Sequence, residues 1–209
     1  MYRSILLLGC VVGQVAGQVP IEPGQITSGL PFGLFYRIEV MAGGARRVDT
    51  KTWLFLAGNR VGRVFPIGGI GVLDASRCNP DTCGHREIGG GKLTVRWDGG
   101  RVDHWTYATA GGKITLDNAE FRPARPIAAS ALVGRWSSAG EGGSNVYQFD
   151  GSGRFRFGAG GSSSGLTGTY RVDGFVLTLT FSDGDVRRRI LFGDAQGLIS
   201  VDRDLFARQ

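Results

Sequence analysis

Val176-Leu177-Thr178-Leu179-Thr180-Phe181-Ser182-Asp183-Gly184 alternates apolar and hydroxyl side chains and then breaks on Asp-Gly. Side chains of a strand point to opposite faces in turn, so this alternation predicts a strand with one buried face, ending in a tight turn. Leu93, Val95 and Trp97 repeat it against Thr94 and Arg96, and Asp98-Gly99-Gly100 breaks that run. Asp150-Gly151-Ser152-Gly153 and Asp173-Gly174 supply further residues that tolerate positive φ, as hairpin turns require. With 36 glycines in 209 residues and no Gly-x-y period, the chain reads as all-β and rich in hairpins.

Working outward, Gly84-His85-Arg86-Glu87-Ile88 stands before the Leu93 run as Gly168-Thr169-Tyr170-Arg171-Val172 stands before the Leu177 run. Downstream, Asp117-Asn118-Ala119-Glu120-Phe121 parallels Asp202-Arg203-Asp204-Leu205-Phe206. Upstream, Trp53-Leu54-Phe55 with Arg60-Val61 parallels Tyr147-Gln148-Phe149 with Arg154-Phe155. A repeat of this length suits a small domain and is too long for a solenoid unit. The expected organisation is therefore two tandem antiparallel meanders, residues 33–122 and 131–209, each of seven or eight short strands. Closing a sheet removes its edges, so each unit is expected to be a small barrel or a strongly coiled sheet. One larger barrel or sandwich fed by both units is the rival. Residues 123–130 hold the last two prolines and read as a short linker with room for one helical turn; residues 18–32 read as an extended segment.

Composition bounds the partners. Apolar residues make up 42% and charged residues 20%, enough for a packed core. The formal charge of +6 is spread along the chain, and Arg187, Arg188 and Arg189 fall on a strand whose alternation divides them between two faces. No nucleic acid is expected as a partner. Arg3, the apolar run from Ile5 to Val12 and the small residues Val15-Ala16-Gly17 read as a signal peptide over residues 1–17, placing the mature chain outside the cytoplasm. Leu7-Leu8-Gly9-Cys10 also has the form of a lipobox, and a membrane enters only if Cys10 is lipidated; a buried first strand is the bland alternative. Once Cys10 is gone, Cys78 and Cys83 flank Asn79-Pro80-Asp81-Thr82, where a local disulfide, free thiols, and a metal or redox pair are the readings, the disulfide first.

Gly134-Arg135-Trp136, followed by Tyr147-Gln148-Phe149-Asp150-Gly151, Gly168-Thr169-Tyr170 and Leu177-Thr178-Leu179, resembles the bacterial lipocalin-like secreted domains. The resemblance covers mainly residues 132–206 and, more faintly, 34–122, where no Gly-x-Trp occurs. It implies a barrel able to hold a small apolar ligand, with Trp53, Phe55, Trp97, Trp136, Tyr147 and Phe149 lining the interior. An eight-stranded barrel can equally be filled by its own side chains, and the number of aromatics favours that.

Constellations for chemistry are sparse. His85 and His104 lie in or beside expected strands without a Gly-x-Ser-x-Gly elbow, and Asp103 and His104 point to opposite faces. Asp183 with Asp185, and Asp202 with Asp204, could attract a calcium ion or serve a secreted hydrolase on a barrel rim by acting on a glycosidic bond, although turn and strand-end solubility is the plainer reading. No metal and no cofactor are expected. The leading expectation is an exported non-enzymatic module acting in binding or at the cell surface, its partner a small apolar ligand or another copy of itself joined through sheet edges.

Overall fold

The computed structural model describes residues 21–41, 47–63, 79–138, 145–160, 165–194 and 196–209. Among these residues the chain forms strands and a single helical turn, in an all-β architecture of two consecutive closed barrels. In the first, β2 (Leu30–Met41), β3 (Arg47–Phe55), β4 (Arg60–Gly62), β5 (Cys83–Gly89), β6 (Lys92–Trp97), β7 (Val102–Ala110), β8 (Lys113–Leu116) and β9 (Ala119–Pro123) pair antiparallel in chain order. The ring closes where Phe35 and Tyr36 face Pro123 and Arg122. In the second, β10 (Gly134–Ser138), β11 (Asn145–Phe149), β12 (Arg154–Ala159), β13 (Leu166–Asp173), β14 (Val176–Phe181), β15 (Val186–Gly193), β16 (Ile199–Val201) and β17 (Asp204–Arg208) do the same. Trp136↔Arg208 and Ser137↔Ala207 close it. Every strand of each ring therefore has two neighbours.

The two rings share a register. Gly84↔Trp97 and Ile88↔Leu93 on β5–β6 correspond to Gly168↔Phe181 and Val172↔Leu177 on β13–β14, each 84 positions later. At the first strand, Gly33↔Phe55 and Phe35↔Trp53 correspond to Gly134↔Phe149 and Trp136↔Tyr147. Gly33-Leu34-Phe35 thus occupies in the first barrel the place of Gly134-Arg135-Trp136, with phenylalanine in the tryptophan's position. At the hairpin glycines the sheet coils so tightly that a Cβ on Gly84 would stand 2.3 Å from the Arg96 carbonyl oxygen, and one on Gly168 2.0 Å from that of Thr180. No other residue fits such an approach.

Two segments depart from expectation. Within the expected extended stretch 18–32, β1 (Gln25–Thr27) pairs with β2 through Ile26↔Pro31, because the turn at Ser28-Gly29 accepts positive φ at both residues. The linker is pinned to both barrels: Pro123 ends β9, where its missing N–H is harmless, Ala124 N donates to Leu34 O at 2.9 Å, and Gly193 N donates to Arg125 O at 3.0 Å. Then α1 (Ala129–Leu132) places Leu132 in the second core, its carbonyl accepting from Trp136 Nε1 at 2.7 Å.

A third apolar cluster joins the barrels. Leu34, Tyr36 and Leu54 on the outside of β2 and β3 pack against Phe175, Ile190 and Phe192 of the second barrel, with the Tyr36 and Phe192 rings 4.9 Å apart. Beside it Asp49, only 2% exposed, accepts from Arg203 Nε at 3.1 Å and Nη2 at 2.5 Å, and from Lys51 Nζ at 2.9 Å.

Candidate functional site

The six aromatics expected to line the interiors are buried there, at 7% exposure or less, and five of them pack ring against ring within the set. Trp53 stacks on Phe55 at 5.8 Å and tilts against Trp97 at 6.1 Å; Tyr147 stacks on Phe149 at 5.4 Å. Trp136 packs in the second core beside Leu132. Arg63, which no sequence signal marked, caps this packing in the first barrel. Its guanidinium lies over Trp53 at 4.9 Å, Trp105 at 5.6 Å and Trp97 at 5.9 Å, a cation held by three ring faces. Burial pushes its pKa down and the nearby Asp103 charge opposes that. The second barrel puts Phe157 in the corresponding place, 4.4 Å from Tyr147.

Of the carboxylates considered for chemistry, Asp183, Asp185 and Asp202 are engaged in or beside turns and Asp204 begins β17. Asp202 has a left-handed φ of 58°, accepts from Ile190 N at 3.0 Å and binds Arg189 Nη1 at 2.6 Å. Burial raises its pKa, opposed by the Ile190 amide and Arg189. Asp117, with φ of 46°, bonds the Thr106 amide at 2.7 Å in the same position of the first barrel, so the two aspartates lock equivalent turns. Asp183 accepts from Asp185 N at 3.0 Å, and Asp185 pairs with Arg187 at 2.7 Å. Asp204, at the strand end, faces Asp49 across the single β3–β17 pair.

His85 is exposed opposite Arg60, while His104 Nδ1 meets Thr94 Oγ1 at 3.0 Å. Asp103 instead accepts from Trp97 Nε1 at 2.7 Å, so the adjacent Asp103 and His104 serve different neighbours. Among the described residues no three His, Cys, Asp or Glu side chains are placed to hold a metal ion. Cys83 is buried at the start of β5; Cys78, Cys10 and the expected leader lie outside the described residues.

A cleft of about 650 Å³ opens on the outer wall of the second barrel, across β11–β14, with Gly168, Phe155 and Phe181 in its lining. Gln148, Arg154, Arg156, Thr167, Thr180 and Ser182 line it. Ser182 Oγ donates to the Thr167 carbonyl at 2.8 Å. Asp150 stands at the rim, but one carboxylate oxygen accepts from Ser152 N, Ser152 Oγ and Arg154 N at 2.8 to 2.9 Å, fixing the 150–154 turn. Those bonds, led by the Arg154 amide, hold its pKa below the ordinary carboxylate value. Sequence reasoning passed over the cleft because its residues are the outward, polar half of alternating strands.

Fold and site together define an all-β protein of two closed eight-stranded barrels, with clustered aromatic cores among the described residues and an external cleft on the second. Comparison with known protein families, curated proteins and solved structures finds no match.

Proposed function

We propose that the protein is an exported, non-enzymatic binding module of lipocalin-like kind, in which the barrels are rigid bodies and the ligand surface lies on their outer walls. One observation carries this reading: aromatic rings of the protein itself pack the described interiors, whereas the second barrel's outer wall holds a cleft of about 650 Å³ whose lining sets polar side chains such as Arg154, Thr169 and Thr180 around Phe155 and Phe181. A barrel of this size can be packed by its own side chains, which leaves the surface for recognition. The Gly134-Arg135-Trp136 start of β10 and its counterpart Gly33-Leu34-Phe35 support the lipocalin-like assignment. Among the described residues, the strand lying outside both rings, and so open to edge-to-edge assembly, is β1.

Native mass spectrometry of the protein recovered from secreting cells tests the reading. The expected species lacks residues 1–17, takes up thiol reagent at Cys78 and Cys83 only after reduction, and retains a ligand that dissociates without chemical change. Turnover of a substrate by the purified protein, lost on His85→Ala, His104→Ala or Asp202→Asn, would overturn it in favour of a hydrolase.

A further inference from the structure

The two barrels treat one position on their outer walls differently, and the difference points to a ligand. In the first barrel Arg60 on β4 faces His85 on β5, and the turn after β6 brings Asp98 beside it, its amide bonded to the Cys83 carbonyl. The Asp98 carboxylate takes Arg60 in a two-pronged pair, Nη1 to Oδ1 at 2.8 Å and Nη2 to Oδ2 at 2.7 Å. In the second barrel Arg154 faces Thr169 in the same register, and the residue whose amide bonds the Thr167 carbonyl is Ser182. The arginine is kept, the hairpin glycine is kept, and the carboxylate is replaced by a hydroxymethyl group. Among the described residues no carboxylate pairs with the Arg154 guanidinium, and the cleft stands open where Asp98 would reach.

We propose that this cleft binds the carboxylate of a hydroxyl-rich acid, a sugar acid or an acidic polysaccharide unit, which occupies on Arg154 the place that Asp98 occupies on Arg60. A planar guanidinium fork matches a carboxylate with two parallel bonds, a geometry a point-charge ammonium cannot offer. The first barrel shows that this wall accommodates such a pair. Around the arginine, the hydroxyls of Thr169 and Thr180 and the amide of Gln148 are donors and acceptors suited to sugar hydroxyls, while Ser182 Oγ is held by Thr167. Asp150 is ionised and its charge acts on Arg154, but its carboxylate bonds the 150–154 turn and leaves the guanidinium fork without a carboxylate partner. The polar side chains of the wall, Gln148, Arg154, Thr169 and Thr180, are exposed, which suits a ligand that remains partly hydrated.

The proposal rests on reading the protein as a binding module, and its test is separate from that one. Glucuronate is titrated into the full-length mature protein and followed by amide NMR shifts, with glucose and sulfate as controls. Shifts should gather on Arg154, Thr169, Thr180 and Ser182 with glucuronate, and be absent with glucose. Arg154→Gln should weaken binding about tenfold or more. Ser182→Asp is the sharper variant, because it keeps the arginine and supplies the missing carboxylate from the protein itself; it should abolish binding while leaving the melting temperature unchanged or higher. The reciprocal Asp98→Ser should open a second glucuronate site beside Arg60. Undiminished binding by Ser182→Asp, absence of shifts in the cleft, or sulfate binding as tightly as glucuronate would each overturn the assignment. None of these outcomes touches the broader reading, which fails on substrate turnover that is lost with His85→Ala, His104→Ala or Asp202→Asn.

Discussion

At the scale of single residues, Gly84 and Gly168 show how backbone approach fixes a hairpin. A Cβ on Gly168 would meet Thr180 O at 2.0 Å and Phe181 Cα at 2.9 Å, both main-chain atoms held by the β13–β14 ladder. Neither can swing aside as a side chain could, so the strands would have to part. Gly168→Ala is expected to cost about 1–3 kcal/mol in urea denaturation. Gly151→Ala, in open space with ordinary φ, should stay within about 0.5 kcal/mol. Equal costs at the two positions would show that the wall at Gly168 yields more easily than its geometry implies. Both glycines were visible in the sequence as members of a repeat, but the reason for them was not. The clash lies with residues that become neighbours only through the register.

At the scale of elements, the contact between β3 and β17 should respond to acid. Burial pushes the Asp49 carboxyl up, and the hydrogen bonds from Arg203 and Lys51 outweigh burial and hold it below its ordinary value. A depressed carboxyl stabilises the fold above the unfolded pKa, near ~3.9, and that stability is lost as pH falls through the lower folded value. Asp49→Asn should therefore destabilise by about 1–3 kcal/mol at neutral pH, the range for hydrogen bonds to charged groups. The gap in melting temperature between wild type and variant should close as pH drops below about 4. Parallel melting curves across that range would assign the contact no electrostatic role. The strands themselves were legible because period-two runs such as residues 176–181 admit one pairing that buries Leu177, Leu179 and Phe181 together. Asp49 and Arg203 lie 154 positions apart, and no local pattern announces a pair of that separation.

At the scale of the whole molecule, the question is whether two barrels fold as one. The sequence held a signal for their contact that period-two reading missed: Leu34-Phe35-Tyr36 and Ile190-Leu191-Phe192 are unbroken apolar runs. A strand apolar at every position is covered on both faces. Here Phe35 and Leu191 point into their own barrels, while Leu34, Tyr36, Ile190 and Phe192 build the cluster between them. Phe192 is 1% exposed, and Phe192→Ala should cost about 3–5 kcal/mol, mostly by uncoupling the barrels. Three of the four tryptophans, Trp53, Trp97 and Trp105, belong to the first barrel and Trp136 alone to the second. In a Trp136→Phe background, fluorescence follows the first barrel while circular dichroism follows both. The two transitions should coincide in that background and separate when Phe192→Ala is added. If they already diverge with Phe192 in place, the interface does not couple the barrels. The external cleft then rides on the second barrel alone, since all its lining residues lie within residues 148–182.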